Sequence, residues 1–141
     1  MKVALALALA FALVACKDSR APAPTEAPKE EAAATPELTV EELAKLLSDD
    51  SCQAVDANGP GTRKRLGTIP GAVLLTDFEA FALSELPADK ARGLVFYCAN
   101  EHCGASHAAA ERARLAGYTD VKVLPAGIAG WAKAGKPTIK L

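Results

Sequence analysis

A chain of 141 residues, half of them hydrophobic, has room for one domain and excludes a multidomain enzyme or a long repeat array. Its 16 Lys and Arg against 17 Asp and Glu leave a net charge of -1. That balance gives no electrostatic reason to expect nucleic acid or an anionic lipid surface as a partner. The 4 cysteines, at positions 16, 52, 98 and 103, are too few for a disulfide scaffold, so each needs its own explanation.

Lys2 precedes an uncharged run from Val3 to Ala15. As a helix this run spans about 20 Å, short of a bilayer core. A charged start, a short apolar stretch and small residues at its end describe an export signal, residues 1–15. The run closes Leu13-Val14-Ala15-Cys16, which resembles the lipobox of bacterial lipoproteins. The resemblance implies cleavage before Cys16, lipidation of Cys16 and a place in the bacterial cell envelope, anchored to a membrane. Acyl chains gathered on one residue suffice for stable anchoring. Residues 17–36 hold four Pro and six Ala, with no aromatic residue and no Leu, Ile, Val or Met. With Cys16 they read as a lipidated, disordered tether, 16–36, reaching about 65 Å when extended. The folded part is then 37–141.

Thr39 and Glu42 have capping-box spacing, and Leu43, Leu46 and Leu47 follow at helical intervals, so 40–47 is predicted as a helix. Gln53 to Ala57 reads as a short strand. Residues 58–66 form a Gly, Pro and basic stretch, whose Arg63, Lys64 and Arg65 are expected to face solvent. Gly67 to Gly71 is a turn, Ala72 to Leu75 a second strand, and Asp77 to Leu83 a brief helix. Leu94 to Tyr97 is an unbroken apolar run, as in a strand buried on both faces. Ala105 to Ala116 is an Ala-rich helix ended by Gly117. Val121 to Leu124 is another strand, and Ile128 to Ala134 a last helix carrying Trp131. Apolar strands alternating with helices predict an α/β fold, a parallel sheet with helices on both faces. In such sheets chemistry gathers at the carboxyl ends of strands.

Cys98 stands in that place, directly after Tyr97 and ahead of a helix. Beyond Cys16 the chain has three Cys and two His, and four of these five fall between 98 and 107: Cys98, His102, Cys103 and His107. Backbone N–H groups of a loop entering a helix cradle anions, so the Cys98 thiol is expected to ionise more readily than usual. Gly104 and Ala105 keep the loop's side chains small there. Cys52 opens a strand without such company and reads as structural.

Val55-Asp56, GTIPGA (67–72), LVFYC (94–98), AGY (116–118), GIAGW (127–131) and GKP (135–137) together resemble a single rhodanese domain, the sulfurtransferase fold. The resemblance covers 37–141. It implies a five-stranded parallel sheet flanked by helices, with Cys98 as the catalytic nucleophile at the floor of a cradle loop. Cys98 would take sulfane sulfur from a small donor, hold it as a persulfide and pass it to a thiol acceptor. No cofactor and no resident metal are implied, and the domain is taken as a monomer.

The loop departs from the family pattern. It runs Cys98, Ala99, Asn100, Glu101, His102, Cys103, Gly104, Ala105, Ser106, about two residues longer than usual and without the family's arginines. Thiosulfate, a dianion, is therefore expected to be a poor donor. Asn58 also stands where the family commonly has Arg. Phosphatases of the same fold use Cys-x5-Arg, and Gly104 occupies that Arg position. Cys103 is unusual for the family and suggests a resolving thiol, with His102 as an auxiliary base. Two alternatives stay open: a redox or metal-binding module built from Cys98, His102, Cys103 and His107, and a catalytically idle fold that serves protein contact.

Overall fold

The computed structural model describes residues 34–141. The export signal, Cys16 and most of the tether lie outside the described residues. No described helix is long and apolar enough to cross a membrane. The order is α1 (Val40–Ser48), β1 (Cys52–Asp56), α2 (Pro60–Leu66), β2 (Val73–Leu74), β3 (Gly93–Tyr97), α3 (Ala105–Leu115), β4 (Val121–Leu124) and α4 (Gly127–Lys133), with a 3-10 turn at Leu83–Glu85.

The sheet is parallel throughout, in the order β2-β1-β3-β4. Among the described residues it has four strands, not five. Where a fifth would extend the β4 edge, Glu37 makes a single bridge to Val123. The Val123 N–H reaches the Pro36 carbonyl and the Leu38 N–H reaches the Val123 carbonyl, both at 2.9 Å. Pro36 has no N–H to offer, and Thr39 already caps α1, so pairing stops after one residue.

Side chains alternate along β3. Leu94, Phe96 and Cys98 enter one cluster with Val55, Leu75, Phe81, Val121, Val123 and the α3 residues Ala109, Ala110 and Ala113. Val95 and Tyr97 enter the other, with Ala54, Leu124, the α1 residues Val40 and Leu43, and Ile128 and Trp131 of α4. Alanines on the inner side of α3 let that helix lie close to the sheet. Each fully buried Leu, Val or Phe contributes about 1.5–3 kcal/mol.

Local chemistry explains the boundaries. Thr39 and Glu42 close the expected capping box: Thr39 Oγ1 accepts from the Glu42 N–H at 3.3 Å, and Glu42 Oε2 accepts from the Thr39 N–H at 2.8 Å. The stretch 58–66 is a helix rather than a loop over Pro60–Leu66, with Pro60 at its first position, where the missing N–H costs nothing. The brief helix expected at 77–83 is absent. Asp77 Oδ1 takes the N–H groups of Glu79 and Ala80, each at 2.8 Å, and Ala82 is extended, so the segment folds as a capped turn. The second strand shortens to Val73–Leu74, and the first shifts by one residue to Cys52–Asp56.

Candidate functional site

β2 lies on one side of β1 and β3 on the other, so the sheet's switch point falls between β1 and β3. Asp56 and Tyr97 end these two strands in register. Cys98 follows at once. Its carbonyl accepts from the Ile128 N–H at 2.9 Å, and the Ala99 carbonyl from the Ala129 N–H at 3.0 Å. The first turn of α4 thereby pins the backbone on which Cys98 sits. Gly127 makes that approach possible. It has φ +59, and a Cβ there would stand 2.6 Å from the Cys98 carbonyl oxygen.

The loop then curls over the cysteine. Asn100 shapes it: its carbonyl accepts from the Cys103 N–H at 3.1 Å and its side-chain oxygen from the His102 N–H at 3.0 Å. Cys98 is 1% exposed. Its thiol donates to the Cys103 carbonyl at 2.9 Å and lies 3.3 Å from the Ser106 hydroxyl. Ser106, in the first turn of α3, is itself buried. Cys103 is half-buried, and both thiols are unpaired.

The electrostatics reverse the expectation for Cys98. Burial pushes its thiol above the ordinary value of 9.0, and the interaction with Cys103 adds to that, against the opposing pull of the Ser106 hydroxyl and N–H. The cradle meets Cys103 instead. Burial raises the Cys103 thiol too, but Cys98 and the N–H groups of Ala99 and Ala105 outweigh it and bring the thiol below the ordinary value. Spacing alone shows two cysteines in one loop; which sulfur the N–H groups face depends on how the loop turns.

Glu101 and His102 are exposed and lie against each other, His102 Nε2 3.6 Å from Glu101 Oε1. His107 is exposed on α3. Among the described residues no three His, Cys, Asp or Glu side chains gather as metal ligands would. The set Cys98, His102, Cys103 and His107 is therefore not assembled. Cys52 is buried in the core, and burial raises its thiol.

A polar cluster missed in the sequence underlies the site. Arg63 is buried rather than solvated. Its Nη2 donates to the carbonyls of Asp56 at 2.9 Å and Leu75 at 2.8 Å, and its Nε lies 3.5 Å from Asp56 Oδ1. Asp56 is wholly buried. Its Oδ1 accepts from the N–H and side-chain amide of Asn58 at 2.7 and 2.8 Å, and its Oδ2 from Thr68 Oγ1 at 2.8 Å and the Tyr97 hydroxyl at 2.9 Å. The Ile69 N–H donates to that same hydroxyl at 3.0 Å. Burial and the neighbouring Asp56 hold the Tyr97 phenol well above its usual range. The one legible signal was Val55-Asp56, an acid at the end of an apolar strand.

The family profile of the rhodanese-like domain matches residues 39–134. The chain belongs to the rhodanese-like family. Solved structures agree on the fold. The rhodanese-like domain of the Alr3790 protein from Anabaena sp. is 24% identical over 75% of this chain and 80% of that one, with a TM-score of 0.63. A protein of unknown function from Rhodopseudomonas palustris, RPA3614, a possible tyrosine phosphatase, is 26% identical over 74% of this chain and 85% of that one, at 0.62. SseA from Escherichia coli, a 3-mercaptopyruvate sulfotransferase, is 23% identical over 76% of this chain and 52% of that one, at 0.56. No curated protein matches the chain. In this rhodanese-like domain the position a phosphatase would need for its phosphate-binding Arg is Gly104, the residue before α3.

Proposed function

We propose that the domain is a sulfurtransferase or persulfide carrier that holds sulfane sulfur on Cys98, taking it from a small donor and giving it to a thiol acceptor. The observation that carries this is the seat of Cys98: a thiol at the switch point, enclosed by one loop, with the Ser106 N–H and hydroxyl turned to its sulfur. A persulfide ionises more readily than a thiol, and those two donors stabilise its charge. The loop from 98 to 106 contains Glu101 and no Arg, so uncharged or singly charged persulfides suit it better than thiosulfate. The lipobox-like residues before Cys16 support a lipid anchor on an envelope membrane, with residues 17–36 as the tether.

The test is sulfur uptake from several donors, followed by removal of the donor and mass spectrometry. Wild type retains the mass of one sulfur atom on Cys98 and passes it to an added thiol. Cys98→Ser retains none once the donor is gone. A wild-type protein that takes up sulfur from no donor turns the reading to a protein-contact module.

A further inference from the structure

The cysteine at the family's catalytic position is the more shielded of the two in the loop. Cys98 is 1% exposed, and the Cys103 carbonyl stands 2.9 Å over its sulfur. Cys103, in the same loop, is half-buried, and Cys98 and the N–H groups of Ala99 and Ala105 bring its thiol below the ordinary value. The Cys103 carbonyl on the Cys98 sulfur sets the two residues side by side across the loop, and each bears on the other's ionisation. A half-buried thiol that ionises more readily, next to a buried one that ionises less, divides the work of a sulfur transfer between them.

We propose that Cys103 is a second reacting thiol: it receives sulfane sulfur from the donor and relays it to Cys98, which stores it away from solvent. This rests on the persulfide reading above. In the first step the Cys103 thiolate attacks the outer sulfur of a small persulfide, R–S–SH. The Cys103–sulfur bond forms, the donor's S–S bond breaks, and RS⁻ leaves with the electron pair, giving Cys103–S–SH. The persulfide keeps its proton, so its outer sulfur stays electrophilic. In the second step Cys98 attacks the terminal sulfur of Cys103–S–SH. The new S–S bond forms at Cys98, the Cys103 S–S bond breaks, and the Cys98 proton passes to the departing Cys103 sulfur. The products are Cys98–S–SH and Cys103–SH. The sulfane sulfur keeps its oxidation level throughout, so no oxidant or reductant is consumed. Delivery to an acceptor thiol runs the same two steps backwards.

The full chain is mixed with glutathione persulfide, quenched within seconds by alkylation while donor is still present, and the added sulfur is located by peptide mass spectrometry. In wild type the sulfur is expected on Cys103 first and on Cys98 later. Cys103→Ser should load Cys98 about tenfold or more slowly. Cys98→Ser should carry sulfur on Cys103 while donor is present. A measurement on wild type alone guards against a misfolded variant: iodoacetamide should modify Cys103 well before Cys98. Loading of Cys98 at the wild-type rate in Cys103→Ser, or Cys98 alkylated first in wild type, overturns the relay while leaving the Cys98 persulfide standing. Wild type with sulfur on neither cysteine overturns the persulfide reading, and the relay with it.

Discussion

Asp56 and Cys98 close the ends of neighbouring strands, yet their surroundings are built in opposite ways. Asp56 faces the α1 and α4 side, where it accepts four hydrogen bonds and lies beside a buried guanidinium. The donors belong to Asn58, Thr68 and Tyr97, with Arg63 alongside, so the cluster ties β1, α2, the turn at Thr68 and β3 into one piece. Cys98 faces the α3 side. Its sulfur has one carbonyl, the hydroxyl and N–H of Ser106 and a second thiol around it, all supplied by the stretch from 98 to 106. A densely bonded cluster fixes geometry because any departure leaves more buried polar groups unpaired. A thiol with weak partners is free to exchange them for a new sulfur. The fold sets the two at the ends of neighbouring strands, on opposite faces of the sheet.

The largest break in this contrast comes from Asp56→Ala. It leaves the buried Arg63 guanidinium without its counter-charge, though its backbone carbonyl acceptors remain, and it leaves the donors of Asn58, Thr68 and Tyr97 without their carboxylate acceptor. Loss of one partner from a buried pair costs about 3–5 kcal/mol. That is a large share of the about 5–15 kcal/mol that holds a domain folded. Urea unfolding should show the midpoint falling steeply, while Asp56→Asn, which keeps an acceptor oxygen, falls less. A midpoint unchanged in Asp56→Ala would mean the cluster contributes specificity and little stability.

Gly127→Ala acts between the two regions, on the backbone that joins α4 to the cysteine loop. The left-handed φ alone costs a residue with a side chain about 1–2 kcal/mol. The added Cβ also meets the Cys98 and Ala99 backbone at 2.6 Å, and backbone cannot move aside as a side chain can. The expected result is a loss of about 2–3 kcal/mol together with slower sulfur uptake. Slower uptake without loss of stability would place the effect in the loop alone. Loss of stability with normal uptake would show that the loop does not depend on α4.

What the sequence made legible follows the range of each interaction. The start of α1 could be read because a capping box lies within four residues, and β3 because burial on both faces leaves only apolar letters. Helix α2 was hidden. Pro60 is a start signal, but Gly61, Thr62 and three basic residues show no apolar stripe, and the helix is held by Arg63 reaching Asp56 and Leu75. That anchor is visible only once β1 and β2 are adjacent. The fifth strand implied by the family resemblance fails at Pro36, a residue-level reason a family pattern does not carry. The loop was found through its crowding of Cys and His. Which cysteine receives the N–H groups, and that His102 and His107 turn outward, depend on loop conformation and have no short-range signature.

The smallest effect on stability and the sharpest on chemistry should come from Ser106→Ala. The lost hydroxyl contact to a thiol is weak, and Ala is the better helix residue in the first turn of α3. The two nearly cancel, so unfolding should change by no more than about 0.5 kcal/mol. The ionisation of Cys98 should not be spared. Burial raises that thiol, and the Ser106 hydroxyl is one of only two groups opposing the rise. Without it the thiol moves further up. Alkylation follows the thiolate fraction, so the pH profile for Cys98 should shift to more alkaline values. Cys103 draws on Cys98 and on the N–H groups of Ala99 and Ala105, none of which is removed, so its profile should stay in place. Peptide-resolved iodoacetamide labelling across pH measures both in one sample. If both profiles move together, the two thiols titrate as one unit. If neither moves and stability drops by several kcal/mol, Ser106 belongs with Asp56 among the residues that only hold the fold.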